Sequence, residues 1–148
     1  MTVDDLYQSM IIDHGRSPRN FGRCDCVTHE QSGSNPLCGD QLTLSLEIKN
    51  NQVVDACFEG EGCAISVASA SLMTDAIKGL SLSQVTALFE RFRDALTCSH
   101  ATSDELGKLE VLLGVKNYPM RVKCATLAWH TLQAALEQQG DVVTTEDA

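Results

Sequence analysis

Between residues 41 and 49 the chain alternates without a break. Leu42, Leu44, Leu46 and Ile48 interleave with Gln41, Thr43, Ser45, Glu47 and Lys49. Period two puts the four aliphatic side chains on one face, the mark of a strand with one side buried. Asn50-Asn51 follows, and asparagine tolerates the positive φ of a tight hairpin turn. Val54, Ala56 and Phe58 then supply the inward face of a return strand, with Cys57 on the other face. An antiparallel hairpin with one apolar side needs a cover, and the rest of the chain must provide it.

That cover is helical. A short amphipathic helix is expected from Asp4 to His14, with Leu6, Met10 and Ile11 on one side and Gly15 and Pro18 as its end. Ser17–Gly22 is a loop, Val27–Glu30 a short edge strand, and Gln31–Asp40 a loop holding Gly33, Pro36 and Gly39. After the hairpin, Gly60-Glu61-Gly62 leaves the sheet and a helix begins at about Cys63. From Ala64 to Ile77 it is apolar almost all round, which suits packing on several sides. Gly79 stops it. Ser81 with Gln84 forms a capping box for the next helix, whose stripe is Leu82, Val85, Leu88, Phe89, Phe92 and Leu96. Leu106–Leu113 reads as a short helix ended by Gly114. Pro119 opens a last helix that runs to about Gln139, with Gly140 as its stop. The fold class is therefore α+β: a small antiparallel sheet of about three strands after an N-terminal helix, covered by C-terminal helices. Its 148 residues suit one domain, with Asp141–Ala148 as a frayed acidic tail.

The formal net charge of -9 argues against nucleic acid and anionic membranes, which select basic surfaces. The uncharged run from Gly62 to Thr74 is too short and too rich in Ser and Ala to span a bilayer. The N-terminus lacks the charged and apolar regions of a signal peptide, so a cytoplasmic setting is expected. Thiols stay reduced there, and seven cysteines are better read as ligands or reactive groups than as disulfides.

Their positions carry the functional reading. Asn35-Pro36-Leu37-Cys38-Gly39-Asp40 holds a thiol and a carboxylate two residues apart in a turn, a soft and a hard ligand side by side. Cys63 starts a helix after a Gly-rich turn. Cys124 lies in the first turns of the last helix, whose apolar stripe is Val122, Ala125, Trp129, Leu132 and Leu136. It is roughly 120° from the centre of that stripe at about 100° per residue. Three thiols at element ends, with Asp40, can converge on one edge of the fold. Tetrahedral Zn²⁺ accepts such donors, and helix N-termini favour thiolates. Lys123 and Arg121 could offset the excess negative charge of such a site. On the residues alone, cysteines that simply pack remain an alternative.

Four stretches resemble a known family: NPLCGD at 35–40, EGEGCAIS at 59–66, LGKLEVL at 106–112 and YPMRVKCATLAWH at 118–130. Together they are similar to the IscU/NifU-N/SufU family of iron–sulfur cluster assembly proteins, over a span from about Leu6 to Leu136. The resemblance implies Cys38, Asp40, Cys63 and Cys124 as metal ligands. Scaffolds of the IscU type carry His immediately before the third cysteine, and this chain has Lys123. The interval from Cys63 to Cys124 is long, at 61 positions. Both features resemble the SufU branch, which implies a zinc-dependent sulfurtransferase. Its partners would be a SufS-type cysteine desulfurase and downstream iron–sulfur assembly proteins. Cys38 would accept sulfur once a desulfurase histidine takes its place as a ligand. The rival expectation within the family is a scaffold that builds a [2Fe-2S] cluster on the same ligands. A non-catalytic, zinc-stabilised binding module is the third.

The remaining residues carry plainer readings. Asp40 alone could be a turn-capping aspartate. Arg121 could pair with Asp40 or with an acidic partner surface, and Lys123 could tune the site's charge. Cys24 and Cys26 read as two loop cysteines that could together capture metal or carry sulfur, and Cys57 and Cys98 as structural. His14, His29, His100 and His130 read as non-ligands. The loop around Pro36 and Leu37, with the Met1–Ile12 helix, is a candidate desulfurase contact.

Overall fold

The computed structural model describes residues 3–36, 39–97, 106–115, 118–137 and 143–144. The hairpin forms where the alternation places it. Strand β2 (Asp40–Lys49) and strand β3 (Gln52–Glu61) pair antiparallel around Asn50 and Asn51, whose φ angles of 53° and 61° make the tight turn. Leu42, Leu44 and Leu46 are buried on one face, opposite Gly60, Phe58 and Ala56.

The return strand departs from the expected inward set at one residue. Val53 is fully buried and Val54 is half exposed, because the ladder steps from the Glu47–Asp55 pair to the Ile48–Val53 pair. Val54 is the extra residue of a β-bulge, and it turns outward.

The stretch expected as a loop from Gln31 to Asp40 is largely a strand. Strand β1 (His29–Asn35) pairs antiparallel with the whole of β2's first half, from His29 opposite Leu46 to Asn35 opposite Asp40. The sequence HEQSGSN has no aliphatic alternation to announce it. Its inward positions are Gln31, Gly33 and Asn35, all buried. They are small or polar because a helix lies directly on them. That helix is α4 (Pro119–Glu137), and a Cβ at Gly33 would overlap Thr131 Oγ1 and press on Leu127.

The other helices follow their local signals. Helix α1 (Val3–Arg16) extends slightly beyond the expected range. Helix α2 (Ala64–Ile77) is capped by Cys63 and stopped before Gly79, which has φ of 85°. Helix α3 (Leu82–Thr97) begins with both capping-box bonds made: Ser81 N donates to Gln84 Oε1 at 2.9 Å, and Gln84 N donates to Ser81 Oγ at 3.2 Å. The next stretch is a 3-10 helix (Gly107–Val115), which continues through Gly114 where a stop was expected.

Helices α2 and α4 cover the sheet's apolar face and pack on each other, with α1 against α2 and α3 against α4. This sandwiching corrects the single stripe expected for α4. Cys124, Thr126, Leu127 and Ala128 are buried along with Ala125, Trp129 and Leu132, while Val122 and Leu136 are only partly buried. Trp129 is the largest buried side chain. It stacks on Phe89 and Phe92 at ring distances of 6.0 and 4.8 Å, and its Nε1 donates to Ser69 Oγ at 3.3 Å.

Within the expected acidic tail, strand β4 (Val143–Thr144) runs parallel to β1, giving the sheet order β3-β2-β1-β4. The rest of that tail, and the expected end of α4 at Gln139, lie outside the described residues.

Candidate metal centre

Asp40 is the first residue of β2 and lies on the covered face, in register with Leu42, fully buried. A bare carboxylate there would be costly, so its surroundings are built to receive it. Cys63 N donates to Asp40 Oδ1 at 2.8 Å, and Asn35 Nδ2 donates to Oδ2 at 3.5 Å. The chain can pass this close only at Gly62. A Cβ there would come within 2.5 Å of Asp40 Oδ1. Gly60, with φ of 146°, lets the end of β3 approach Gln41 in a conformation that side chains rarely adopt.

Cys63 arrives as the N-cap of α2. Its Sγ accepts from Ser66 N at 3.4 Å and stands 3.8 Å from Asp40 Oδ2. Cys124 arrives from α4, 3% exposed, and its Sγ accepts from Asn35 Nδ2 at 3.5 Å. A ligand atom from each of Asp40, Cys63 and Cys124 thus lies within 4.8 Å of the other two. Bonds of about 2.0–2.3 Å to a tetrahedral zinc put neighbouring donors about 3.3–3.8 Å apart, so small side-chain adjustments suffice. Two thiolates and a carboxylate are a donor set that zinc accepts.

Cys38 and Leu37 lie outside the described residues. The connection that contains them is closed by the Asn35–Asp40 pair, and Gly39 makes the turn with φ of 73°.

Arg121 is not brought to Asp40. It is exposed, with its guanidinium over the Tyr118 ring at 5.4 Å, and no ion pair joins it to Asp40. Asp40 is satisfied by neutral N–H donors instead. Lys123 is half-buried immediately before Cys124. Of the histidines, His14 is buried with Nδ1 2.7 Å from Ser71 Oγ, His29 lies beside Thr28 Oγ1 at 2.9 Å, and His130 packs edge-on against Phe89. None of these three joins the Asp40 cluster. His100 and Cys98 lie outside the described residues.

Two contacts were not anticipated from the sequence. One is Asn35, whose amide bridges Asp40 and Cys124. Its place at the head of the NPLCGD stretch was the available signal. The other concerns Cys24 and Cys26, read as a pair. The structure separates them: Cys26 is exposed, whereas Cys24 is buried and meets Cys57 from β3.

A model of the family described as NifU-like N terminal domain matches residues 6–141. The Bacillus subtilis protein named zinc-dependent sulfurtransferase SufU is 40% identical over 139 residues, covering 93% of this chain and 93% of its own. The Streptococcus pyogenes protein named iron-sulfur cluster assembly scaffold protein IscU is 36% identical over 140 residues, 94% of this chain and 87% of its own. Among solved structures, FiSufU from the thermophile Fervidobacterium islandicum AW-1 is similar with a TM-score of 0.83 and 32% identity, over 91% of this chain and 99% of that one. With a family model matched over most of its length and a fold shared with SufU-like proteins, the chain belongs to the NifU-like N-terminal domain family.

Proposed function

We propose that this protein acts in iron–sulfur cluster assembly as a zinc-dependent sulfurtransferase, accepting sulfur from a SufS-type cysteine desulfurase in the cytoplasm. The observation that carries the reading is the convergence of Asp40, Cys63 and Cys124 at the end of the sheet, next to the connection that contains Cys38. The 40% likeness to a protein named a zinc-dependent sulfurtransferase supports the choice of metal and reaction. In this reading Asp40, Cys63 and Cys124 hold zinc together with Cys38.

Bound zinc supplies a redox-inert centre that keeps a thiolate in reserve and exchanges ligands without oxidising it. The chain's own residues do the rest. Asn35 and the Cys63 N–H hold the Asp40 carboxylate in place. Ser66 N orients the Cys63 thiol. Burial of Cys124 and Asp40 keeps water from those two ligands. Cys38 is the acceptor: its thiolate attacks the terminal sulfur of the desulfurase persulfide. The sulfur–sulfur bond of the donor breaks, its electron pair stays on the desulfurase cysteine, and Cys38 becomes the persulfide. No net oxidation occurs. Lys123, immediately before Cys124, tunes the charge of the site, and the exposed Arg121 meets an acidic partner surface.

The similarity to proteins named IscU scaffolds favours a second reading, in which the same ligands build a [2Fe-2S] cluster as cargo. Cysteine turnover by the desulfurase, measured anaerobically without iron and with zinc-loaded protein present or absent, separates the two. Sulfur transfer requires stimulated turnover, a persulfide mapped to Cys38, and loss of both in Cys38→Ala. Unstimulated turnover with stable cluster uptake once iron is supplied would replace this reading with the scaffold.

A further inference from the structure

The face of the sheet turned away from α2 and α4 is crossed by a strap. Phe58 N donates to Asn20 O at 3.0 Å and Gly22 N donates to Phe58 O at 2.7 Å, tying the start of the strap to the free edge of β3. Thr28 N donates to Leu46 O at 2.8 Å, tying its end to β2. Between these points the chain passes over Ser45, and Cys24 is anchored there twice. Cys24 N donates to Ser45 Oγ at 3.2 Å, and its thiol donates to Ser45 O at 3.3 Å.

Ser45 is paired with Cys57, so the strap lowers the Cys24 thiol, 5% exposed, onto the Cys57 thiol. Asp55, two residues before Cys57 on the same strand face, completes a triad. The two Sγ atoms and a carboxylate oxygen of Asp55 all lie within 4.8 Å of one another. Ala56 N donates to Asp55 Oδ1 at 2.9 Å, and Lys78 Nζ stands 3.3 Å from the same oxygen. Both contacts orient the carboxylate. Burial first, and the neighbouring Cys57 thiol second, push Cys24 up to about 12, so with no cation to displace it the proton stays on the crowded sulfur.

We infer that Cys24, Asp55 and Cys57 form a second site for a zinc-class divalent cation, on the opposite face of the sheet from Asp40. The donor set has the same composition as the Asp40–Cys63–Cys124 cluster, two thiols and a carboxylate. Its donors are close enough to meet around one ion with bonds of about 2.0–2.3 Å. Charge also balances. Two thiolates and a carboxylate around a divalent ion leave one negative charge, and Lys78 supplies one positive charge at the carboxylate. Binding exchanges two S–H bonds for two metal–sulfur bonds and releases two protons to solvent. With three protein donors the fourth position is open to water or an incoming thiol, as in zinc sites that exchange ligands. Loaded, the site clasps the strap to β3, with metal–sulfur bonds replacing the thiol's bond to Ser45 O. Oxidation of the two thiols to a disulfide would also clasp it, but that bond has no use for Asp55 or Lys78.

The experiment uses the full-length chain, stripped of metal under anaerobic reducing conditions and titrated with Zn²⁺ against a chromophoric chelator. The wild-type protein takes up two equivalents. Asp55→Asn, which keeps the carbonyl that accepts from Ala56 N, loses one equivalent, as does Cys57→Ser. Cys124→Ser loses the other. Alkylation mapped by mass spectrometry gives a readout on the wild-type chain, independent of whether a variant folds. Zn²⁺ protects Cys24 and Cys57 while Cys26 still reacts. Uptake of a single equivalent that Asp55→Asn leaves unchanged would overturn the second site. So would alkylation of Cys57 at the same rate with and without Zn²⁺.

Discussion

Asn35 joins residues that the chain keeps far apart. Its amide donates to Asp40, five positions on, and to Cys124, 89 positions on, from a site with no solvent exposure. Removing such a donor leaves buried acceptors short of a partner, at a cost of about 1–3 kcal/mol. It also frees the orientation of two candidate ligands. Asn35→Ala is therefore expected to weaken zinc binding at this centre by about 10–100-fold, the usual effect of losing a group that orients ligands. Chelator competition measures it. His130 gives a pH signature. Burial first, and the Arg93 charge second, lower its pKa below the ordinary 6.5, so the folded state favours the neutral ring. A lowered pKa contributes stability that is present above about 6.5 and lost as pH falls through the folded value. Urea unfolding from pH 7 downward is expected to show a slope that His130→Gln reduces.

At the scale of elements, the informative case is β1. Its pattern of polar and small residues gives no period-two signal, yet it forms seven register pairs with β2 and carries Asn35 to the metal centre. The strand exists because β2 offers a free edge and α4 offers a roof. Gly33 lets the roof come close. Gly33→Ala places a methyl group where Thr131 Oγ1 already stands, and overpacking of this kind costs about 1–3 kcal/mol. The shift in urea midpoint checks it, and Thr131→Ala in the same chain is expected to recover part of the loss by removing the overlapping atom. The α2 and α3 termini behave oppositely. Cys63, Gly79, Ser81 and Gln84 act on neighbours within a few residues, so their roles were legible before any tertiary contact was known.

For the molecule as a whole, α4 ties the halves together. It packs on β1 and β2, on α2 and α3, and on the 3-10 helix, and it carries both Cys124 and Trp129. Trp129→Ala would empty the space between Phe89, Phe92 and Ser69, at a cost of about 3–5 kcal/mol. Against total stabilities of about 5–15 kcal/mol, that is a large share. The variant is expected to melt at much lower temperature, and bound zinc is expected to restore part of the loss, because a ligand that binds only the folded state adds stability. Calorimetry with and without Zn²⁺ tests both. No helix among the described residues is long and apolar enough to cross a membrane.

The sequence by itself determined the β2–β3 hairpin, the limits of α2, the start of α3, and the placing of thiols and a carboxylate at element ends. Each of these rests on signals read within a few residues: alternation, Asn-Asn at a turn, a capping box, glycine after a helix. Only the tertiary structure decided that β1 runs on past the expected edge strand through Gln31–Asn35, that Val53 turns inward in place of Val54, and that α4 is buried nearly all round. Only it chose Cys57 over Cys26 as the neighbour of Cys24, and brought Cys63 and Cys124 to Asp40. Those outcomes depend on which surfaces meet in the folded chain, at the metal centre across 23 to 89 positions, and local pattern carries no record of what will stand on the other side.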